Sequence, residues 1–297
     1  MKTLSLIYCA RNDSYGDDYN CKEFSRRDQK KFNKFNINKY NNIERIKTTL
    51  EKNILLLDKY FPDNYEIIFV DWSPLSKDKY LINSEETKEI FKNKNIKNII
   101  VTPESIEKRK LNKKGFYEYY GKNIGIRNSN SKYVLISNPD DIFQENLILN
   151  IKNKIENNQE NNFYGRCYSR LDVDHDLKTI DEGLSFPKNG NINDEIIGTP
   201  ASGDFLLATK ENLIKATGYY EEFSNGNQTS LDGKLCIKLY NMKLKPILIE
   251  GSIMHLHHKK HDRSGNHNNW TDGYINEEFW GFKNFGIKEL NNNSFLI

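Results

Sequence analysis

The chain has 297 residues, with 44 Lys and Arg against 41 Asp and Glu and a formal net charge of +3. That balance excludes a protein that holds nucleic acid by bulk charge, and no apolar run approaches the roughly 18 residues that a membrane span needs. The length suits one fold with a functional tail. The N-terminal MKTLSLIYCARND turns polar too early for a signal peptide, so a soluble, cytoplasmic protein is expected. Cys9, Cys21, Cys167 and Cys236 show no paired spacing, which fits free thiols in a reducing compartment. Asn-rich clusters such as ENNQENNF and LNNNSF alternate with aromatic and apolar blocks that supply a core.

Residues 3–10 (TLSLIYCA) predict a first strand ending in Arg11, Asn12 and Asp13, a cation and amides at a strand end. Within residues 15–39, Arg26, Arg27, Lys30, Lys31 and Lys34 interleave with Phe24, Phe32 and Phe35. A solvated helix face explains this better than a membrane-touching or acceptor-touching helix. Residues 42–61 place Ile43, Ile46, Leu50, Ile54, Leu57 and Phe61 at helical spacing, and Pro62 ends the helix. A second strand, residues 65–70, runs into Asp71 and Trp72; an acid beside an indole suits a nucleoside, or simply a turn with a half-buried Trp. Residues 96–102 predict a third strand, and the lysine-rich KRKLNKKG after it is either exposed coil or a flap near phosphates. A helix over residues 117–130 leads to a further strand. This alternation predicts an α/β fold with a mostly parallel central sheet flanked by helices. Beyond it come a helix at 146–156, strands at 163–170 and 201–209, helices at 210–216 and 230–240, and a last short strand at 246–249.

The stretch KYVLISNPDDIF is the centre of the chain. Tyr133, Val134, Leu135 and Ile136 form an apolar run suited to a strand buried on both faces. Pro139 cannot donate to a ladder, so Asp140 and Asp141 leave the sheet at the strand's carboxyl end, where open α/β sheets bind ligands. A hard cation such as Mg²⁺ or Mn²⁺ needs only one or two protein carboxylates when phosphates and water complete its shell. An Asx turn capping the next helix accounts for the same residues.

Several motifs follow one another in order: CARND, VDWSP, GKNIGIRNSNSKYVLISNPDD, SGDFLLATKENLIKATGYYEEF, SLDGKLCIKLYNMKLKP and MHLHHKKHDRSGNH. In that order they resemble the nucleotide-sugar-dependent glycosyltransferases of the GT-A fold, family 2-like, over residues 4–258. The resemblance implies a GT-A domain over residues 1–250, with a nucleotide-sugar half to about residue 141 and an acceptor half after it. A His-rich tail, residues 251–297, would close over the site. It implies donor contacts from Ala10, Arg11, Asn12, Asp71, Trp72, Asn123, Arg127 and Asn138. Mn²⁺ or Mg²⁺ would sit on Asp140 and Asp141 with one tail histidine, His258 ahead of His255. Asp232 takes the catalytic-base position of an inverting enzyme, with Asp204 as the reserve.

The chain departs from the family in two places: Asn138 stands at the first acid of the DxD-type motif, and Leu231 at the first acid of a Glu-Asp pair. The implied partners are a nucleotide diphosphate sugar, UDP-sugar favoured, and a hydroxyl on a glycan, protein or lipid-linked acceptor. The tail histidines His255, His257, His258, His261 and His267 also admit a separate zinc or iron site, or a solvated loop. A sugar nucleotidyltransferase would carry a Gly-rich loop after its first strand, which CARNDSYGDD lacks. The remaining alternative is a non-catalytic nucleotide- or carbohydrate-binding protein on the same scaffold, which Asn138 and Leu231 favour.

Overall fold

The structure, a computed structural model, describes residues 2–12, 42–72, 76, 79–111, 116–157, 160–174, 176–181, 204–223, 231–256, 273–274, 280–282, 288–291 and 293–297. The basic stretch within residues 15–39 and the histidines from His257 onward lie outside them. Strands β1 (Lys2–Ala10), β2 (Tyr65–Trp72), β3 (Ile96–Val101) and β4 (Ser131–Ile136) are parallel and lie side by side as β3-β2-β1-β4. The chain therefore moves outward from β1 through β2 to β3, then returns to the other side of β1. The crevice at such a reversal, beyond the carboxyl ends of β1 and β4, is where open α/β sheets bind ligands.

These strands are apolar almost throughout because helices cover both faces. From β1, Leu6, Tyr8 and Ala10 pack with Ile46, Leu50 and Leu57 of helix α1 (Asn42–Tyr60). Ile7 and Cys9 point to the other face. Helix α2 (Pro103–Lys108), not anticipated from the sequence, starts with Pro103 in its first turn and the Thr102 hydroxyl accepting from the Ser105 amide at 3.4 Å. Helix α3 (Glu118–Asn128) covers Ile7 and Cys9 with Tyr120 and Ile124. It lies unusually close to the sheet: a Cβ on Gly121 would fall 2.1 Å from Cys9 Sγ, and one on Gly125 2.4 Å from Ile7 Cγ2. The spacing of these glycines brings the first turn of α3 against the carboxyl end of β1.

The second half extends the same sheet with β5 (Asp141–Phe143), helix α4 (Glu145–Glu156), β6 (Asn162–Val173), β7 (Thr179–Asp181), β8 (Leu206–Thr209), helix α5 (Lys210–Lys215), β9 (Glu222–Phe223), helix α6 (Leu231–Asn241), β10 (Lys245–Leu256) and β11 (Gly273–Tyr274). From β4 the order continues β8-β6-β10-β5, with β7 on β6, while β9 and β11 form a separate pair. Finally β12 (Lys288–Asn291) and β13 (Ser294–Leu296) join the opposite edge, β13 running parallel to β3. Eleven of the described strands form one sheet. Among the described residues no helix is long and apolar enough to cross a membrane.

β10 differs most from its expected length. The sequence predicts a short strand at 246–249, yet the strand runs 12 residues, through Gly251 to Leu256. Gly251 has φ 122°, and a Cβ there would sit 2.5 Å from Leu147 Cα, so this glycine lets α4 press on the strand. The register against β6 shifts between Ile249 and Ser252 as a bulge absorbs the irregularity. The boundary expected at residue 250 thus falls inside a strand, and that strand carries His255 into the sheet.

Candidate active site

The acidic turn is held from both sides. After β4, the Ser137 amide donates to Ile7 O at 3.2 Å, and the Asp141 amide donates to Asn138 O at 3.1 Å. Asp141 then enters β5, opposite His255 of β10, while the Leu256 amide donates to Asp140 O at 2.9 Å. From α1, the buried Asn53 amide donates to Asp141 O at 2.8 Å and its carbonyl accepts from the Phe143 amide at 2.9 Å.

Asp141 is fully buried. Its Oδ2 accepts from Ser137 Oγ at 3.2 Å and from the Asn138 amide at 3.1 Å, whereas its Oδ1 is sealed from solvent without a hydrogen-bond donor. His255 Nδ1 lies 2.9 Å from Asp172 Oδ1, and Nε2 lies 3.6 Å from Asp140 Oδ2. One donor atom each from Asp140, Asp141 and His255 falls within 4.8 Å of the others. Two carboxylates and an imidazole suit a divalent ion of the Mn²⁺ type, and the orphaned oxygen gives the fit a physical test: an unpaired buried carboxylate oxygen is costly, and a cation removes that cost.

The charges agree with this. Burial raises the Asp141 carboxyl well above the usual range, and the neighbouring Asp204 and Asp140 push it further. Burial alone would lower His255, but Asp140 and Asp172 outweigh it and raise the imidazole to about 9. The cluster is over-supplied with negative charge and recruits a proton where a metal ion is not bound.

A second arm reaches the turn from α3. Lys122, buried, places Nζ 3.0 Å from Asn138 Oδ1 and 2.5 Å from Glu118 Oε1. Burial works against its charge, yet Glu118, Asp232 and Asp204 prevail and hold its ammonium above the ordinary lysine range. Asn138 also donates from Nδ2 to Asp204 Oδ1 at 2.9 Å, and Asp204 Oδ2 pairs with Arg170. An amide at position 138 suits both of these neighbours. The side chain accepts from an ammonium and donates to a carboxylate at once, which an amide can do and a second carboxylate cannot.

Asp232 lies in the first turn of α6, as expected. Tyr119 donates to its Oδ2 at 2.8 Å, and its Oδ1 is a second buried carboxylate oxygen without a donor. Burial raises its pKa, while the Lys122 charge and the tyrosine hydroxyl pull it back. Burial is therefore the largest influence on this acid. Asp204, the reserve candidate, is committed to Arg170 and Asn138.

At the neighbouring strand ends, Ala10 of β1 stands opposite Asp71 of β2. Arg11 is buried, its carbonyl accepting from Asn42 Nδ2 at 2.6 Å, and Asn12 is half-buried. Asp71 has no exposed surface; Oδ2 accepts from the Leu81 amide at 2.9 Å, Oδ1 lacks a donor, and burial raises the carboxyl to about 7. Trp72 is buried completely against Tyr117 and Tyr120. The charges of Glu118, Lys122, Asp71 and Arg11 all reach the buried Cys9 thiol, whose pKa burial raises first. The ends of β1, β2 and α3 thus meet there.

Two expected donor residues stand elsewhere. Asn123 is buried beneath α3, bonded to the backbone of Tyr219 at 2.9 and 2.8 Å and to Glu221 Oε1 at 2.8 Å. Arg127, near the far end of the helix, stacks over Trp280 at 5.2 Å. Glu118 and Lys122, four apart, are the pair that faces this edge, and Asn123 and Arg127 lie on another side of the helix. His258 lies outside the described residues; among those described, His255 stands on the turn. Sequence reasoning also passed over Lys122, Arg170, Asp172 and Tyr119. Only the i, i+4 pairing of Glu118 with Lys122 and the i, i+2 pairing of Arg170 with Asp172 were there to find them.

No family model matches the sequence, and no curated protein matches it. Among solved structures, the chain is similar to the crystal structure of S. aureus TarS 1–349, with a TM-score of 0.49 and 14% identity. The match covers 86% of this chain and 60% of that one.

Proposed function

We propose that this chain is a metal-dependent glycosyltransferase that moves a sugar from a nucleotide diphosphate sugar to an acceptor hydroxyl with inversion at the anomeric carbon. The observation that carries this reading is Asp141, which keeps one buried oxygen without a donor and clusters with Asp140 and His255 in the crevice where the strand order reverses. Asp140, Asp141 and His255 hold the ion. Bound there, a Mn²⁺ or Mg²⁺ ion supplies Lewis-acid neutralisation of a leaving diphosphate. Lys122, steered by Glu118 and Asn138, adds a fixed cation on the other side of the turn, where it screens phosphate charge. Ala10, Arg11, Asn12 and Asp71 line the nucleoside side, with Asp71 Oδ1 as the buried acceptor; UDP is the favoured nucleotide.

Asp232 is the base. A general base works best with a pKa near the operating pH, and burial moves this carboxyl upward from the range of an ordinary aspartate. Its vacant Oδ1 takes the proton of the incoming hydroxyl, while Tyr119 keeps Oδ2. The acceptor is a glycan, protein or lipid-linked hydroxyl. Calorimetric titration with UDP, with and without Mn²⁺, followed by a donor-hydrolysis assay across UDP-sugars, tests the proposal. Mn²⁺-dependent binding and slow hydrolysis of one donor are expected. Binding without turnover of any donor would favour the non-catalytic scaffold.

A further inference from the structure

We propose that Asp172 is a positioning residue for the ion, fixing which nitrogen of His255 faces Asp140 and Asp141; this rests on the metal reading above. A histidine offers a metal one nitrogen, and the hydrogen bond made by the other decides which. Asp172 Oδ1 lies 2.9 Å from Nδ1, so in the neutral imidazole the proton stays on Nδ1 and the Nε2 lone pair looks toward the paired carboxylates. The contact is built into the sheet: β6 and β10 are parallel neighbours, and Asp172 and His255 are register partners. Asp172 is itself steadied by Arg170, whose Nε and Nη2 each lie 3.3 Å from the same Oδ1. Arg170 and Asp172 are two apart on one strand and so share a face, and Arg170 also grips Asp204. If Asp172 served only to neutralise Arg170, its loss would leave the ion indifferent.

The test uses the full chain and Mn²⁺ alone, with free Mn²⁺ counted by electron paramagnetic resonance and imidazole nitrogen coupling read from pulsed spectra. Wild type is expected to bind one ion with a nitrogen signal, and Asp141→Asn to lose nearly all binding. Asp172→Ala should weaken Mn²⁺ by roughly 10- to 100-fold, as outer-shell changes do, and reduce the nitrogen signal. Asp172→Asn, whose amide oxygen still accepts from Nδ1–H, should lose less, by several fold. Wild-type affinity and an unchanged nitrogen signal in Asp172→Ala would overturn the assignment while leaving the metal reading intact, provided Asp141→Asn has lost binding. A wild type that binds no Mn²⁺ would remove both. Should Asp172→Ala fail to fold, Asp172→Asn decides, and full affinity there counts against the proposal.

Discussion

The ends of β2 and β4 present two aspartates in nearly the same physical state. Asp71 and Asp141 are both without exposed surface, each has one oxygen satisfied by backbone amide donation, and each has one oxygen orphaned. Their neighbours separate them. Asp71 is shifted by burial and opposed only by the Leu81 amide. Asp141 sits among Asp140, Asp204, His255 and Arg170. A lone buried carboxylate can settle its energy by taking a proton; a crowded one calls for a cation of higher charge, because a single proton leaves the rest of the cluster unpaired. Burial alone therefore does not mark a candidate metal ligand, and the company of other ligand groups does.

The strongest way to break this contrast is to remove charge from the crowded end. Asp140→Asn should abolish the Mn²⁺-dependent part of UDP binding and leave the fold intact, as seen by titration in Mn²⁺ and in EDTA. Equal wild-type affinity in the two buffers would erase the difference between the two ends. Next in size, Asp232→Asn should cut turnover by roughly 10² to 10⁴-fold, the usual share of general-base catalysis, with donor affinity nearly unchanged. Product NMR from an α-linked donor should then show a β-linkage in the wild type, and an α-linked product would take Asp232 out of the base role.

A smaller effect sharpens the comparison from the other side. The Asp71 carboxyl titrates at about 7 in the folded protein, against roughly 3.9 in an unfolded chain. Between those values the folded state holds the extra proton, so stability falls as pH rises from about 4 to about 7 and the full penalty remains above that. Asp71→Asn removes the penalty: urea unfolding should show it more stable than wild type at pH 8, with the gap closing by pH 4. Its UDP affinity should drop by roughly 1.5 to 3 kcal/mol, the range for a bond to a charged group. A stability change with affinity untouched would make Asp71 purely architectural.

Much of this was readable in the chain. The apolar runs at 3–10, 65–70, 96–102 and 132–136 mark strands because burial on both faces needs continuous hydrophobicity, and Pro139 marks where the acids leave the sheet. Asp140 and Asp141 drew notice as carboxylates at a strand's end, and Asp232 as what the family resemblance implies. The local signals failed where tertiary contact decides. β10 was expected only over 246–249, whereas it continues through Gly251, whose missing side chain admits α4. Lys122, Arg170 and Asp172 drew no reading from the sequence, since nothing local says that β6, β10 and α3 converge. Asn138 looked like a lost ligand until Lys122 and Asp204 were seen on either side of it.

The pairing of β13 with β3 bears on how the molecule is made. Asn293, beside β13, bonds back to Lys94, 199 residues earlier, and Ile297 is buried with its amide donating to Ile100 O at 2.9 Å. During synthesis β3 emerges long before its outer neighbour, so the nascent sheet carries an unpaired apolar edge through most of translation, the kind of surface that recruits chaperones or aggregates. Such late, distant closure also slows folding. A shortened chain ending near residue 250 would keep every acid of the proposed catalytic set except the support of His255, and yet it would leave that edge open for good.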